Sequence, residues 1–223
     1  MTVSREKNGK NFSLNRRKII YFRAYVTSVS AEREFMSLLI INNHDSFTFN
    51  LVDLIRRLVV PFQVVNVEDL DLGAVENFSH LLISPGPDVP RAYPQLFALL
   101  ERYHQRKSIL GVCLGHQMLC EFFGAALYNL PSPRHGQAMS LRLVSDSPLF
   151  KNLSPTFQIG LYHSWAVSEV HFPAQLQITA RCSDNIIMAM QHKTLPIYGV
   201  QFHPESYISE HGEQILQNWL QAS

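Results

Sequence analysis

The sequence predicts an α/β fold: an open, mostly parallel sheet with flanking helices and a small antiparallel addition. From Ser37 onward, short apolar runs alternate with segments of helical periodicity, as expected for parallel strands joined by crossover helices. After Gly124 the segments become shorter and more alternating, and they are rich in Pro, Ser and His. This change favours antiparallel strands and long loops in the second half of the chain.

Strands and helices alternate in the first half of the predicted domain, and each strand is a short apolar run that ends at polar or turn residues. In the first helix, Phe49, Val52, Ile55 and Val59 recur at spacings of three and four residues, which indicates one buried face. Gly124 follows the third helix in the position of a C-cap. The predicted strands are 37–42, 63–67, 80–84 and 107–112, and the predicted helices are 49–58, 94–105 and 114–123.

One more core strand and a closing helix are predicted near the end of the chain. Residues 197–202 have strand character, and residues 210–220 carry Ile215 and Trp219 on one side of a helix. The sequence shows no internal repeat and no low-complexity tract. We therefore expect one domain that spans residues 37–223.

Charge and composition exclude several classes of function. The 223 residues are 46% hydrophobic and 17% charged, as in ordinary globular chains. Residues 37–223 hold 11 Lys or Arg against 15 Asp or Glu, a net charge of −4, so we expect no nucleic acid and no anionic membrane as partner. No apolar run reaches the roughly 18 residues that a transmembrane helix requires.

Three cysteines, Cys113, Cys120 and Cys182, are scattered along the chain. Their odd number and wide spacing fit neither a disulfide framework nor a close-spaced zinc site. We therefore expect no metal site, no cofactor and a reducing, cytoplasmic environment.

Residues 1–36 form a basic N-terminal extension, with eight Lys or Arg against three Glu. Its apolar stretches, such as residues 19–22, are interrupted by Arg23 and are too short for the hydrophobic region of a signal peptide. Two interpretations stay open: the segment is a disordered tail, or the protein starts at Met36, directly before the first strand.

A cysteine between two glycines lies where the fourth predicted strand meets the next helix, in Gly111-Val112-Cys113-Leu114-Gly115. This is the form of a nucleophile elbow, in which small neighbours permit a sharp turn that exposes the nucleophile. The N–H of Leu114 can then point toward an oxyanion, and the helix N-terminus favours a thiolate. An isolated cysteine would be interpreted as a small buried residue, but these neighbours favour a nucleophile.

His203 and Glu205 are the candidates for a proton shuttle and its partner. His203 follows the predicted strand 197–202, and the ends of parallel strands converge on one edge of a sheet, so it can face Cys113. Glu205, two residues on, is placed to hold the imidazole in the required tautomer. Taken alone, His-Pro-Glu at a strand end is an ordinary turn, and its significance depends on the cysteine.

Five sequence motifs occur at residues 43–50, 84–87, 111–117, 162–165 and 199–206. Together they resemble the class-I, triad-type glutamine amidotransferases, and they occur in that family's order. The first motif resembles the branch that contains the glutaminase subunits of anthranilate synthase and aminodeoxychorismate synthase. The fold that the resemblance implies is flavodoxin-like.

The resemblance implies a reaction for the three central residues. Cys113 would attack the side-chain amide of L-glutamine to give a glutamyl thioester and ammonia. His203 would transfer the protons, and Glu205 would orient His203. The product ammonia would pass to a separate chorismate-binding synthase subunit in a hetero-oligomer, serving either the tryptophan or the folate branch.

The resemblance also implies a set of substrate-binding residues. The N–H groups of Gly86 and Leu114 would bind the oxyanion. Gln117 would bind the α-amino or carboxylate end of glutamine, together with main-chain groups of Ser164 and Trp165. The sequence departs from the family pattern at Trp165, where an aliphatic residue is usual.

Two other classes of function compete with this hypothesis. A γ-glutamyl hydrolase-type cysteine hydrolase could use the same fold to release an amine instead of ammonia. A non-catalytic binding module is the second alternative, although the presence of Cys113, His203 and Glu205 together argues against it.

Overall fold

The computed structural model describes residues 36–222, and the expectations for residues 1–35 lie outside the described residues. Within this range, four strands and three α-helices come first, and only short 3₁₀ helices join the second strand to the third; five strands and one α-helix follow. The strands are β1 (Leu38–Asn42), β2 (Phe62–Asn66), β3 (His80–Ile83), β4 (Ser108–Val112), β5 (Leu127–Leu143), β6 (Thr156–Val167), β7 (Leu176–Cys182), β8 (Ile187–His192) and β9 (Ile197–Val200). The helices are α1 (Thr48–Arg57), α2 (Pro94–Tyr103), α3 (Leu114–Phe122) and α4 (Gly212–Gln221).

The strands form one open sheet in the order β2-β1-β3-β4-β9-β8-β7-β5-β6. The five strands from β2 to β9 in this order are parallel. The remaining four strands are antiparallel to their neighbours, and β5 pairs with β6 along most of its length. The predicted open, mostly parallel sheet with an antiparallel addition is confirmed. No helix in residues 36–222 is long and apolar enough to cross a membrane.

Helices cover both faces of the parallel strands, which explains why these strands are apolar without alternation. Successive residues of β1 point to opposite faces, so Leu38 and Ile40 belong to one apolar core and Leu39 and Ile41 to the other. The first core includes residues of α1 and α4, and the second includes residues of α2 and α3.

The predicted buried face of the first helix is partly wrong. Phe49 is 60% exposed and Val59 is 54% exposed, whereas Val52 and Ile55 are buried. Thr48 is also buried, and Phe49 lies about 100° from it around the helix, outside the stripe that faces the sheet. Val59 follows the end of α1 with a positive φ of 56°, so the chain has already turned away from the helical face.

The third helix ends as predicted. Gly124 has a φ of 101°, and its N–H donates to the carbonyl of Glu121 while the N–H of Ala125 donates to that of Cys120. This pair of bonds is a Schellman motif, and it terminates α3 at Phe122, with Gly124 two residues beyond the helix.

Candidate active site

The nucleophile elbow is present between β4 and α3. Cys113 adopts φ 53° and ψ −102°, a positive-φ conformation outside the left-handed helical region that is costly for a residue with a side chain. A Cβ on Gly111 would lie 2.3 Å from the carbonyl of Gly115, and a Cβ on Gly115 would lie 2.3 Å from the carbonyl oxygen of Ile83. Only glycine fits at both positions, so these two residues permit α3 to start directly against the sheet.

His203 and Glu205 form a buried pair after β9. The Nδ1 of His203 lies 2.7 Å from Oε1 of Glu205, and both side chains are almost completely inaccessible to solvent. Because the carboxylate accepts from Nδ1–H, the imidazole presents Nε2 on its other side. Nε2 is buried and has no hydrogen-bond partner among residues 36–222, so it is available for proton exchange.

The environment of His203 favours its protonated form. Burial alone would lower the pKa of His203, but the charge of Glu205 and the neighbouring Cys113 thiol together raise this pKa well above its usual value. Cys113 and His203 follow β4 and β9, which pair in parallel, and the N–H of Cys113 donates to the carbonyl of Val200 at 2.8 Å. Phe47 and Tyr162 pack edge-on against the imidazole, with ring centroids 4.9 and 5.0 Å away, and fix its orientation.

The two residues predicted to bind the oxyanion are neighbours, because the side chain of Leu114 packs against Gly86. Leu114 is the first residue of α3, so its N–H has no acceptor within the helix. A Cβ on Gly86 would lie 2.5 Å from Cδ2 of Leu114 and 2.7 Å from Cβ of Asn43, which excludes any side chain here. No hydrogen bond from the N–H of Gly86 occurs within the described residues.

Asn43 fixes the loop that carries Gly86, and sequence reasoning missed this role. Its Nδ2 donates to the carbonyl of Ser84 at 2.8 Å, and its own N–H donates to Oγ of Ser84 at 3.0 Å. Asn43 is fully buried at the end of β1. A polar residue that directly follows an apolar strand was the available signal.

The structure brings Gln117 and Trp165 together. Nε2 of Gln117 donates to the carbonyl of Trp165 at 2.9 Å, and Nδ1–H of His163 donates to the same carbonyl at 2.8 Å. Ser164 lies between His163 and Trp165 on β6. Within the described residues, no side-chain hydrogen bond joins Ser164 to the other predicted site residues.

Gln201 lies in the centre of the site and was also missed. It is fully buried directly after β9, and its Nε2 lies 3.6 Å from Sγ of Cys113. Its Oε1 accepts a 3.0 Å hydrogen bond from Gln117. The signal in the sequence was a glutamine within an otherwise apolar run at a core position, two residues before His203.

These residues supply the parts of a nucleophilic acyl-transfer site. The site lies at the carboxyl ends of β4 and β9. It contains a cysteine with a strained backbone, an imidazole hydrogen-bonded to a carboxylate, and main-chain donors at a helix N-terminus. No group of His, Cys, Asp and Glu residues suited to hold a metal ion occurs in residues 36–222.

The sequence matches the family of class-I glutamine amidotransferases over residues 39–222. The chain belongs to the class-I glutamine amidotransferases. A Haemophilus influenzae protein assigned as anthranilate synthase component II is 69% identical to this amidotransferase over 185 residues, which cover 83% of the chain and 96% of that protein. The aminodeoxychorismate synthase of Streptomyces griseus is 38% identical over 190 residues, which cover 82% of the chain and 26% of that protein.

A solved structure supports the fold of the amidotransferase. A Thermoplasma acidophilum protein assigned as one subunit of a GMP synthase superposes with a TM-score of 0.76 at 21% identity, covering 84% of this chain and 93% of that one. At this identity the likeness bears on the fold alone.

His116 has no place in the reactive group of this amidotransferase. It follows Cys113 by three residues but is fully buried, and burial lowers its pKa to about 3. A Cβ on Gly199 would lie 2.7 Å from its Nδ1, so the ring packs tightly against β9. His116 is therefore a neutral packing residue.

Proposed function

We propose that this amidotransferase is the glutaminase subunit of a chorismate-using synthase, acting as component II of anthranilate synthase or of aminodeoxychorismate synthase. The observation that carries the hydrolysis is the strained Cys113 beside the buried His203–Glu205 pair. The 69% identity to a protein assigned as anthranilate synthase component II and the 38% identity to an aminodeoxychorismate synthase support a chorismate-using synthase as the destination of the ammonia. The glutaminase activity belongs to the domain of residues 37–223.

The reaction consumes L-glutamine and water and releases L-glutamate and ammonia. Sγ of Cys113 attacks the side-chain carbonyl carbon, and the proton held by His203 goes to the departing nitrogen, which leaves as ammonia. His203 then removes a proton from water, which attacks the thioester and displaces the Cys113 sulfur. The raised pKa of His203 suits this cycle, because a protonated imidazole stabilises the thiolate and supplies the first proton.

Main-chain groups bind the charges that the substrate brings or develops. The N–H groups of Gly86 and Leu114 bind the oxyanion of each tetrahedral intermediate, where one such donor contributes about 10²- to 10³-fold to the rate. Gln117 and the main chain of Ser164 and Trp165 hold the α-substituents of glutamine.

The partner is a separate component I that binds chorismate and receives the ammonia. A chain that released ammonia without a docked acceptor would waste glutamine, so we expect low glutaminase activity from the isolated chain and strong activation by component I. All three cysteines are unpaired, which fits a reducing compartment such as the cytoplasm.

A Cys113→Ser substitution tests the proposal in the complex with component I. We expect loss of glutamine-dependent synthesis of the aminated product, with synthesis from added ammonium retained. Cys182→Ser is the matched control, because Cys182 is equally buried but lies on β7. Loss of both activities in Cys113→Ser would contradict the assigned role, and release of an amine from γ-glutamyl amides in place of ammonia would indicate a hydrolase.

A further inference from the structure

A continuous row of hydrogen bonds links the predicted substrate-holding segment to the nucleophile. The carbonyl of Trp165 accepts from Nε2 of Gln117 at 2.9 Å, and the same Nε2 donates to Oε1 of Gln201 at 3.0 Å. Nε2 of Gln201 in turn lies 3.6 Å from Sγ of Cys113. Gln117 and Gln201 are 3% and 0% exposed, so solvent does not compete for these bonds.

The carbonyl of Trp165 determines which group donates and which accepts in every hydrogen bond of this row. The carbonyl of Trp165 can only accept, so Gln117 must present its NH₂ group to it. The second hydrogen of that NH₂ group then requires Oε1, and not Nε2, of Gln201 as its acceptor. Gln201 is left with its NH₂ group toward the sulfur, and the opposite amide assignment would set two NH₂ groups against each other.

His163 is a second donor to the carbonyl of Trp165. Burial lowers the pKa of His163 to about 4, so the imidazole is neutral near pH 7 and carries one N–H. That N–H, on Nδ1, donates to the carbonyl of Trp165 at 2.8 Å. Two donors therefore converge on one carbonyl oxygen, which holds this carbonyl in place at the start of the row.

We infer that Gln201 is a catalytic hydrogen-bond donor to the Cys113 sulfur and that Gln117 is the positioning residue that orients it. This inference rests on the proposed function, because it concerns the same nucleophile. The sulfur is negatively charged before attack and again when the thioester breaks, and a buried N–H donor stabilises it at both stages.

Alkylation of Cys113 by iodoacetamide as a function of pH tests the inference without any turnover. In Gln201→Met, which keeps the length of the side chain but has no donor, we expect the alkylation rate at pH 7 to fall about tenfold and its rise to move to higher pH. Gln191→Met is the matched control: Gln191 donates to Gln177 at 2.9 Å in the same kind of amide pair, on β8 and β7.

Two further variants separate a donor from a packing residue. Gln201→Glu has the same shape but sets an acceptor against the sulfur, so we expect alkylation at least as slow as in Gln201→Met. Gln117→Met leaves Gln201 free to rotate, and we expect a smaller decrease of about threefold. A thermal melt verifies that each variant is folded. In Gln201→Met, we expect a large decrease in kcat for glutamine and only a small change in KM.

Wild-type alkylation rates and pH dependence in folded Gln201→Met and Gln201→Glu would overturn the inference. This outcome is distinct from failure of the proposed function. If the variants behave as expected but no ammonia reaches a chorismate-using subunit, the role of Gln201 stands and the assignment of the partner fails. If ammonia transfer is observed and alkylation is unaffected by Gln201→Met, only the inference fails.

Discussion

The N–H of Cys113 donates a 2.8 Å hydrogen bond to the carbonyl of Val200. This bond continues the parallel pairing of β4 and β9, in which Val112 is opposite Val200. The residues that follow the two strands therefore meet, although 90 residues of sequence separate Cys113 from His203. The pairing of two central strands therefore sets the positions of the reactive groups that follow them.

The backbone of Cys113 stores strain that can be measured. Because φ is 53° and ψ is −102°, glycine should fit this position better than any residue with a Cβ. We expect Cys113→Gly to be more stable than Cys113→Ala by about 1 kcal/mol in urea unfolding, although both variants lack the thiol. Equal stability of the two variants would show that the elbow is unstrained.

The contact between Gly86 and Leu114 predicts a catalytic defect from a single methyl group. A Cβ on Gly86 would overlap both Leu114 and Asn43, so the loop must shift and its N–H must leave the oxyanion position. We expect Gly86→Ala to lower kcat for glutamine by about 100-fold in the complex with component I. Gly73→Ala is the control, because its Cβ would meet only the exposed Asp71 carboxylate. A normal kcat in Gly86→Ala would remove Gly86 from the mechanism.

The charge of Glu205 should be visible in the pH profile. Glu205→Gln preserves the shape of the pair but removes the carboxylate that holds up the pKa of His203. We expect the basic limb of kcat/KM to move to lower pH, because the imidazolium then loses its proton earlier, and kcat to fall about 100-fold. Glu169→Gln, in an ion pair with Arg181 outside the site, should leave the profile unchanged. An unshifted basic limb would mean that Glu205 does not tune His203.

The sequence predicts those parts of the site that depend on local motifs. Cys113 between glycines and His203 at a strand end are recognisable because strand, turn and helix signals lie next to them. Gln201 is different, because its role depends on Gln117 and Cys113, 84 and 88 residues away. Pairing of buried side chains over such separations leaves no local pattern, so only the structure reveals it.

The exposed position of Phe49 shows a second limit of sequence patterns. Spacings of three and four residues identify a helical stripe, but they do not identify where the helix begins to face the sheet. In the structure, Thr48 and Leu51 occupy the buried face that the pattern assigns to Phe49. The helix itself is predicted within one residue at each end.

Buried neutral histidines predict acid sensitivity of the fold. His80 is 3% exposed, and burial lowers its pKa to about 4, against about 6.5 in an unfolded chain. Between these two pKa values, His80 is protonated in the unfolded state but neutral in the native state. The free energy of unfolding therefore decreases as pH falls from about 6.5 to 4. The loss from His80 alone is at most about 3 kcal/mol.

A substitution at His80 isolates this contribution. His80→Phe keeps a ring against Trp219, whose centroid lies 5.5 Å from that of His80, but cannot be protonated. We expect its free energy of unfolding to fall less steeply between pH 6.5 and 4 than that of the wild type. His171→Asn, at an exposed position with φ 57°, should leave the slope unchanged. The same slope in His80→Phe would place the acid sensitivity elsewhere.

Two exposed aromatic residues predict where component I docks. Phe49 is 60% exposed and Tyr207 is 94% exposed, and they follow β1 and Glu205 at the carboxyl edge of the sheet, where Cys113 lies. Ammonia released there reaches an acceptor only if the partner covers this edge, and large aromatic side chains are typical anchors of such interfaces. We expect Phe49→Asp and Tyr207→Asp to weaken binding of component I at least about tenfold, with little change in thermal stability.

Val170→Asp is the control for added charge. Val170 is 68% exposed but lies near the other end of α3, where the N–H of Ser168 donates to the carbonyl of Ala126. Equal weakening by all three substitutions would indicate a general effect of added charge and would contradict docking at this edge.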